Sequence, residues 1–395
     1  MSAKAAGIPR YRPFAGPALL RQGFRPFFLG AGLWALVAMT LWVAALQGYL
    51  ALPTAFDPVA WHVHEMLFGF VVAAIAGFLL TAIPNWTGRM PLQGLPLAIL
   101  VGVWLAGRLA VYGSERIGAG SAAALDLAFL SLLLGVVLRE ILTGRNWRNL
   151  PMPVALGGLL AANALTHADA AGIAATGPLG QRLGIGIVIL LISLVGGRII
   201  PSFTLNWLKK RGAARLPARF GAPDRVALGL LAAALVAWVI APESHIAGTA
   251  MVGAGLAALI RLARWCSHLT LVEPLVWSLH LGYAWVPIGL LLTGLGAFLP
   301  DLPQIAGLHA LTAGAMGGMT LAVMTRATLG HTGRPLIADR WTAAAYLLVA
   351  AAAALRVAAP FSADGYLALL WAAGLAWCAA FGLFAVRYGR LLLAR

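Results

Sequence analysis

The chain has 395 residues, of which 61% are hydrophobic and only 10% charged, against roughly 25% charged in an ordinary soluble domain. Its 28 Lys and Arg and 12 Asp and Glu cannot cover a globule of this size, so a soluble fold is excluded and lipid must cover most of the surface. The net charge of +16 then reads as a topology signal rather than as nucleic-acid binding, and two cysteines, Cys266 and Cys378, give neither a disulfide framework nor a zinc site.

Apolar stretches of about 20 residues predict an all-α polytopic membrane protein with about twelve transmembrane helices, in a single integral domain over 1–395. A short basic arm, 1–26, leads into span 1 at 27–47, whose apolar run is too long for a signal-peptide core and is expected to stay uncleaved. Span 2, at 60–83, opens on Trp61-His62-Val63-His64-Glu65-Met66. Span 3, at 95–112, carries Arg108; span 4 lies at 120–141; span 5, at 150–167, begins with Pro151 and Pro153 and ends on His167. Span 6, at 183–205, contains Gly196-Gly197-Arg198-Ile199-Ile200-Pro201 and precedes a cytoplasmic loop at 206–224. Spans 7 and 8 follow at 225–241 and 246–266, and span 9, at 274–298, holds His280. Span 10, at 304–326, starts with His309 and carries Gly314 and Gly318 as a G-x-x-x-G packing motif; spans 11 and 12, at 341–359 and 365–386, complete the chain.

Nearly every Lys and Arg falls in loops on one side of this layout, from Lys4, Arg10 and Arg12 to Arg387, Arg390 and Arg395. The opposite loops hold Arg116 and Arg182, and the spans hold Arg108, Arg198 and Arg356. The positive-inside rule therefore places both termini in the cytoplasm.

Ionisable groups inside a bilayer are costly and mark function by default. Successive helical residues turn by about 100°, so His62 and His64 point to nearly opposite sides of span 2 and offer two separate ligands. His62, Glu65 and Met66 share a face, where Glu65 would accept the second ring N–H of His62; the alternative is an interfacial anchor with solvated histidines. His64 precedes Thr87-Gly88-Arg89 by the same interval that separates His309 from Thr332-Gly333-Arg334, and Ile83-Pro84-Asn85 of span 2 matches Ile200-Pro201-Ser202 of span 6. Spans 2, 6 and 10 thus recur every four, which suggests three four-helix units about a pseudo-threefold axis.

Two imidazoles at one depth, His64 and His309, suit a six-coordinate heme b. Gly69, Gly77, Gly314 and Gly317 would make room for the porphyrin or serve helix packing alone. His280 is either a further ligand or a buried, hydrogen-bonded histidine. Arg198 and Arg326 would hold heme propionates or another anion, or snorkel to lipid phosphates.

The run from Trp61-His62-Val63-His64-Glu65-Met66 through Ile83-Pro84-Asn85-Trp86-Thr87-Gly88 resembles the NnrS family. So do Phe24-Arg25-Pro26-Phe27-Phe28, Gly197-Arg198-Ile199-Ile200-Pro201-Ser202-Phe203-Thr204, His280-Leu281-Gly282-Tyr283-Ala284-Trp285 and the run from His309 to Leu336. The resemblance implies a bacterial inner-membrane protein containing heme and copper, tied to nitric oxide metabolism and nitrosative-stress resistance. A looser resemblance, to the catalytic subunit of heme-copper oxidases, implies heme ligation between helices 2 and 10. The chain lacks the copper-ligating histidines of helices 6 and 7 in those oxidases, so copper would draw on His62, Glu65, Met66 or His280. Three roles are compatible with this reading: an oxidoreductase acting on nitric oxide with an electron donor, a heme-based nitric oxide sensor, or a transporter with helices broken at Pro84, Pro201 and Pro287.

Overall fold

The computed structural model describes residues 14–394, so Lys4, Arg10, Arg12 and Arg395 of the expected charge pattern, and the first half of the basic arm, lie outside the described residues. Everything long in it is helical, and no strand occurs among the described residues. The major helices are α1 (Phe24–Leu46), α2 (Pro58–Thr87), α3 (Leu95–Tyr112), α4 (Ala119–Thr143), α5 (Pro151–Ala170) and α6 (Gly177–Lys210). They are followed by α7 (Ala222–Ile240), α8 (His245–Ala263), α9 (Pro274–Leu295), α10 (Gln304–His331), α11 (Arg340–Ala358) and α12 (Tyr366–Leu393).

Eleven of these are long and apolar enough to cross a membrane. The exception is α5, the fifth expected span, because Asn163, Thr166, His167 and Asp169 dilute its apolar run. Its 20 residues, about 30 Å at 1.5 Å per residue, still match the thickness of a bilayer core. Met152 near its start lines an apolar cavity with Leu79 and Ile199, while His167 near its end meets Asp126 of α4. The helix that fails the apolarity test fails it because it carries polar groups into the interior.

Local chemistry fixes the helix ends. Pro58 begins α2 behind Asp57, whose carboxylate accepts from the Val59 and Ala60 backbone N–H groups. At the other end, Gly88 and Gly333 both take the left-handed conformation, at φ 70° and 69°, after α2 and α10. The hydroxyls of Thr87 and Thr332 each bond back to the carbonyl four residues earlier. The repeated T-G-R signature is therefore a repeated helix stop.

Helices α2, α9 and α10 are the most enclosed, with 72%, 61% and 61% of their apolar windows buried, and α6 follows at 50%, against 33–39% for the other spans. Three of these four are the helices that recur every four in sequence, and each contains a π-helical stretch: Glu65–Val71 in α2, Ile192–Gly196 in α6 and Ala310–Gly317 in α10. The stretches in α2 and α10 fall in the register set by His64 and His309, whereas that in α6 lies deeper. Pro84, Pro201 and Pro287 sit inside continuous helices, so the chain deviates by π turns and not by proline breaks.

The small residues serve side-chain packing. Space beside Gly77 is taken by the Phe28 ring, beside Gly314 by Trp285 and beside Gly317 by Trp377, while Gly318 brings α10 against Gly282 of α9. Gly69 lies against the Trp34 indole and the Glu65 carboxylate, which a Cβ there would meet at 2.6 and 2.8 Å. Gly69→Ala is accordingly expected to destabilise the protein by about 1–3 kcal/mol through overpacking, measured as a lowered midpoint of thermal unfolding in detergent.

Candidate metal centre

The switch from α to π winding begins at Glu65 and turns its carboxylate towards α1 and α3. There Trp34 Nε1 donates to Oε2 at 2.6 Å, and Arg108 Nη1 donates to both oxygens at 2.8 Å. Glu65 also lies 3.1 Å from Nδ1 of His64. The expected partnership of Glu65 with His62 is therefore not formed; uniform α-helical spacing put the two on one face, and the π winding moves the carboxylate off it.

Beyond His64 the network continues into α4 and α5. The other ring nitrogen, Nε2, lies 2.9 Å from Asn163 Oδ1 and 3.2 Å from Asp126 Oδ2. His167 Nε2 is 2.9 Å from that same Asp126 oxygen, Asn163 Nδ2 donates to it at 2.7 Å, and Arg108 Nη2 donates to Asp126 Oδ1. The rings of Phe56 and Phe68 stand 4.9 and 5.2 Å from His64 and close the apolar wall. All six polar side chains are buried, with His64, Glu65 and Asn163 at 0% exposure.

One ligand atom each from His64, Asp126 and His167 lies within 4.8 Å of the others, close enough to hold a metal ion. Metal–nitrogen distances of about 2.0–2.1 Å place tetrahedral ligand atoms about 3.3 Å apart, near the 2.9 and 3.2 Å separating the imidazoles from Asp126 Oδ2. Charge points the same way: with neutral rings, the carboxylates of Glu65 and Asp126 outnumber the one guanidinium of Arg108. Both nitrogens of His64 also face acceptor oxygens, which calls for a proton on each or for a cation beside Nε2. Glu65 behind Nδ1 is the carboxylate that orients a metal-bound imidazole.

The remaining expected site residues disperse. His62 faces away from this network, stacked on Trp42 at 4.7 Å, and its Nδ1 is buried without a partner. His309 and Arg356 act on it electrostatically. His309 itself bonds through Nδ1 to the Ile305 carbonyl at 2.9 Å. The structure thus brings His62 together with His309, and His64 together with His167. Met66 packs against the apolar cluster formed by Ala38, Phe56, Trp61 and Val111. His280 lies at the far end of the bundle, buried, with Nε2 2.8 Å from the Thr204 hydroxyl. Arg326 covers the Phe203 ring at 4.0 Å and donates to the Leu275 carbonyl, and Arg198 is exposed.

Asp126, His167, Asn163 and Arg108 are the site residues that sequence reasoning passed over. A signal for two of them was present. Arg108 and Asp126 stand at nearly mirrored positions about the turn joining α3 to α4, so an antiparallel hairpin sets opposite charges at one depth.

The family profile described as NnrS protein matches residues 18–395. No curated protein matches the chain.

Proposed function

The chain belongs to the NnrS family, a family of membrane proteins associated with the nitric oxide response, and from that premise we propose that it handles nitric oxide or its products at a metal ion held by His64, Asp126 and His167. The observation that carries this reading is the convergence of two imidazoles and a carboxylate, buried and short of positive charge, within 4.8 Å. Imidazole and carboxylate donors suit copper(II) and non-heme iron, so this donor set fits the copper that the family resemblance implies. When bound, such an ion supplies a redox-active or Lewis-acidic position for a small diatomic ligand. Arg108 balances the carboxylates, Glu65 orients His64, and Asn163 donates to Asp126 Oδ2, the oxygen that faces both imidazoles.

Heme b fits a second place. His62 and His309 come from α2 and α10 and interact electrostatically, and the buried Nδ1 of His62 has no protein partner. Because His64 is engaged with Asp126 and Asn163, the heme in this reading binds between His62 and His309, not between His64 and His309. The two histidines of His62-Val63-His64 then serve two centres from opposite sides of one helix. His280, Met66, Arg198 and Arg326 take no part in either.

Metal analysis of the purified protein tests the first centre. About one equivalent of copper or iron beyond any heme iron is expected, and it should be lost in His167→Ala while the helical content stays unchanged. Equal metal content in the two proteins would remove the proposal.

The proposed location is the bacterial inner membrane, with the arginine-rich end, including Lys209 and Lys210 after α6, in the cytoplasm. A Cys at Glu243, between α7 and α8, should react with an impermeant maleimide in intact cells. A Cys at Gly212 should react only after permeabilisation. The reverse pattern would invert the topology.

A further inference from the structure

The three recurring helices do not close on one another where they meet. Between α2, α6 and α10, with α1 and α5 alongside, lies a cavity of about 100 Å³. The π-helical stretches of α2 and α6 reach it through Val71, Ile192 and Gly196, and Met319 lines it just beyond the stretch in α10. Its walls are carbon and thioether sulfur, and Thr320 is the one lining side chain that carries an oxygen. Water there would find almost no hydrogen-bond partner, and apolar cavities of comparable size stay dry and take benzene or xenon. Nor does the backbone demand the gap. A Cβ on Gly196 would meet its nearest neighbour, Met319 Cε, at 3.4 Å, an ordinary contact, so a larger residue could fill part of the room.

Size and position identify the occupant. The cavity is well below the roughly 300–1,000 Å³ of sites for organic cofactors and drug-sized ligands, which leaves molecules of a few atoms. Ile75, Phe78, Leu191 and Ile199 at its rim are only half-buried, so it opens towards the lipid side of the bundle. At its other end it approaches the metal centre. Val71 lies two turns, about 10 Å, beyond His64 on α2, and Leu156 lies as far from Asn163 on α5. The layer between is Leu67 and Phe68 packed on Gly184 of α6, where a Cβ would meet them at 2.6 and 3.3 Å. The Phe68 ring, 5.2 Å from His64, is thus the partition between cavity and metal centre.

We propose that this cavity is a binding chamber for an uncharged diatomic gas, which enters from lipid and passes Phe68 to the metal held by His64, Asp126 and His167. A neutral diatomic needs no hydrogen bond from the walls and gains dispersion contact with them. The identity of the gas as nitric oxide, and its delivery to a metal, rest on the function proposed above; the capacity of the cavity for a gas does not.

Two measurements on the purified full-length protein test this. Crystals pressurised with xenon should show a xenon peak among Val71, Leu156 and Val188, and Ala74→Leu should abolish it by filling the space. Stopped-flow mixing of the metal-loaded protein with nitric oxide should show binding about tenfold slower in Ala74→Leu, at unchanged metal content, and faster in Phe68→Ala. Gly196→Ala, which narrows the cavity without a clash, should act in the same direction as Ala74→Leu and replaces it should that variant fail to fold. Absence of xenon, or an acyl chain in its place, overturns the chamber. Xenon binding with nitric oxide rates equal in the wild type and the filled variants overturns delivery to the metal. A protein that binds xenon and holds no metal contradicts the function proposed above, and with it the delivery, while the gas site stands.

Discussion

Arg108→Leu is expected to lower the unfolding free energy by about 3–5 kcal/mol, the cost of leaving a buried charge without its partner. The guanidinium, 1% exposed, is the single positive group between Glu65 and Asp126. Removing it strands two carboxylates in a site walled by Phe56 and Phe68. Arg108→Lys should recover only part of the loss, since an ammonium cannot reach both carboxylates as the fork does. The triple variant Arg108→Met, Glu65→Gln, Asp126→Asn should recover most of it, because a buried ionic network can be replaced by neutral groups at little net cost. Unfolding in mixed micelles, followed by far-ultraviolet circular dichroism, measures all three. A single variant as stable as the wild type would show that the network is not the interior anchor described above.

Removing either His62 or His309 is expected to abolish six-coordinate heme absorbance, while His64→Ala should keep the Soret band and lose the second metal. The contrast follows from where the two halves of His62-Val63-His64 point. His62 is stacked on Trp42 near His309, and His64 is locked between Glu65 and Asn163. Absorption spectra of the three purified variants decide between the pairings. Loss of the band in His64→Ala with retention in His62→Ala would restore ligation by His64 and His309.

Much of this architecture is legible in sequence because lipid imposes a simple rule: apolar runs of bilayer length become helices. The rule also explains its own weak point at α5, where Asn163, Thr166 and His167 dilute the apolar signal for the sake of the site. The division of His62 from His64 follows from 100° per residue and survives in the structure. Gly88 and Gly333, read as part of a repeat, proved to be equivalent helix stops. The partner of Glu65 was not legible, since π winding depends on packing between helices and has no plain sequence mark. Asp126 and His167 were missed for another reason: neither has a metal-ligand partner at helical spacing in its own span, and only the meeting of α4, α5 and α2 turns them into a cluster.

The most direct test is X-ray absorption at the edge of the non-heme metal in wild-type protein and in His167→Ala. The expected wild-type spectrum shows nitrogen and oxygen neighbours at about 2.0–2.2 Å, with the outer-shell scattering of two imidazoles, and His167→Ala loses one imidazole or the metal altogether. A spectrum with sulfur neighbours, or one unchanged by His167→Ala, would contradict a centre built from His64, Asp126 and His167.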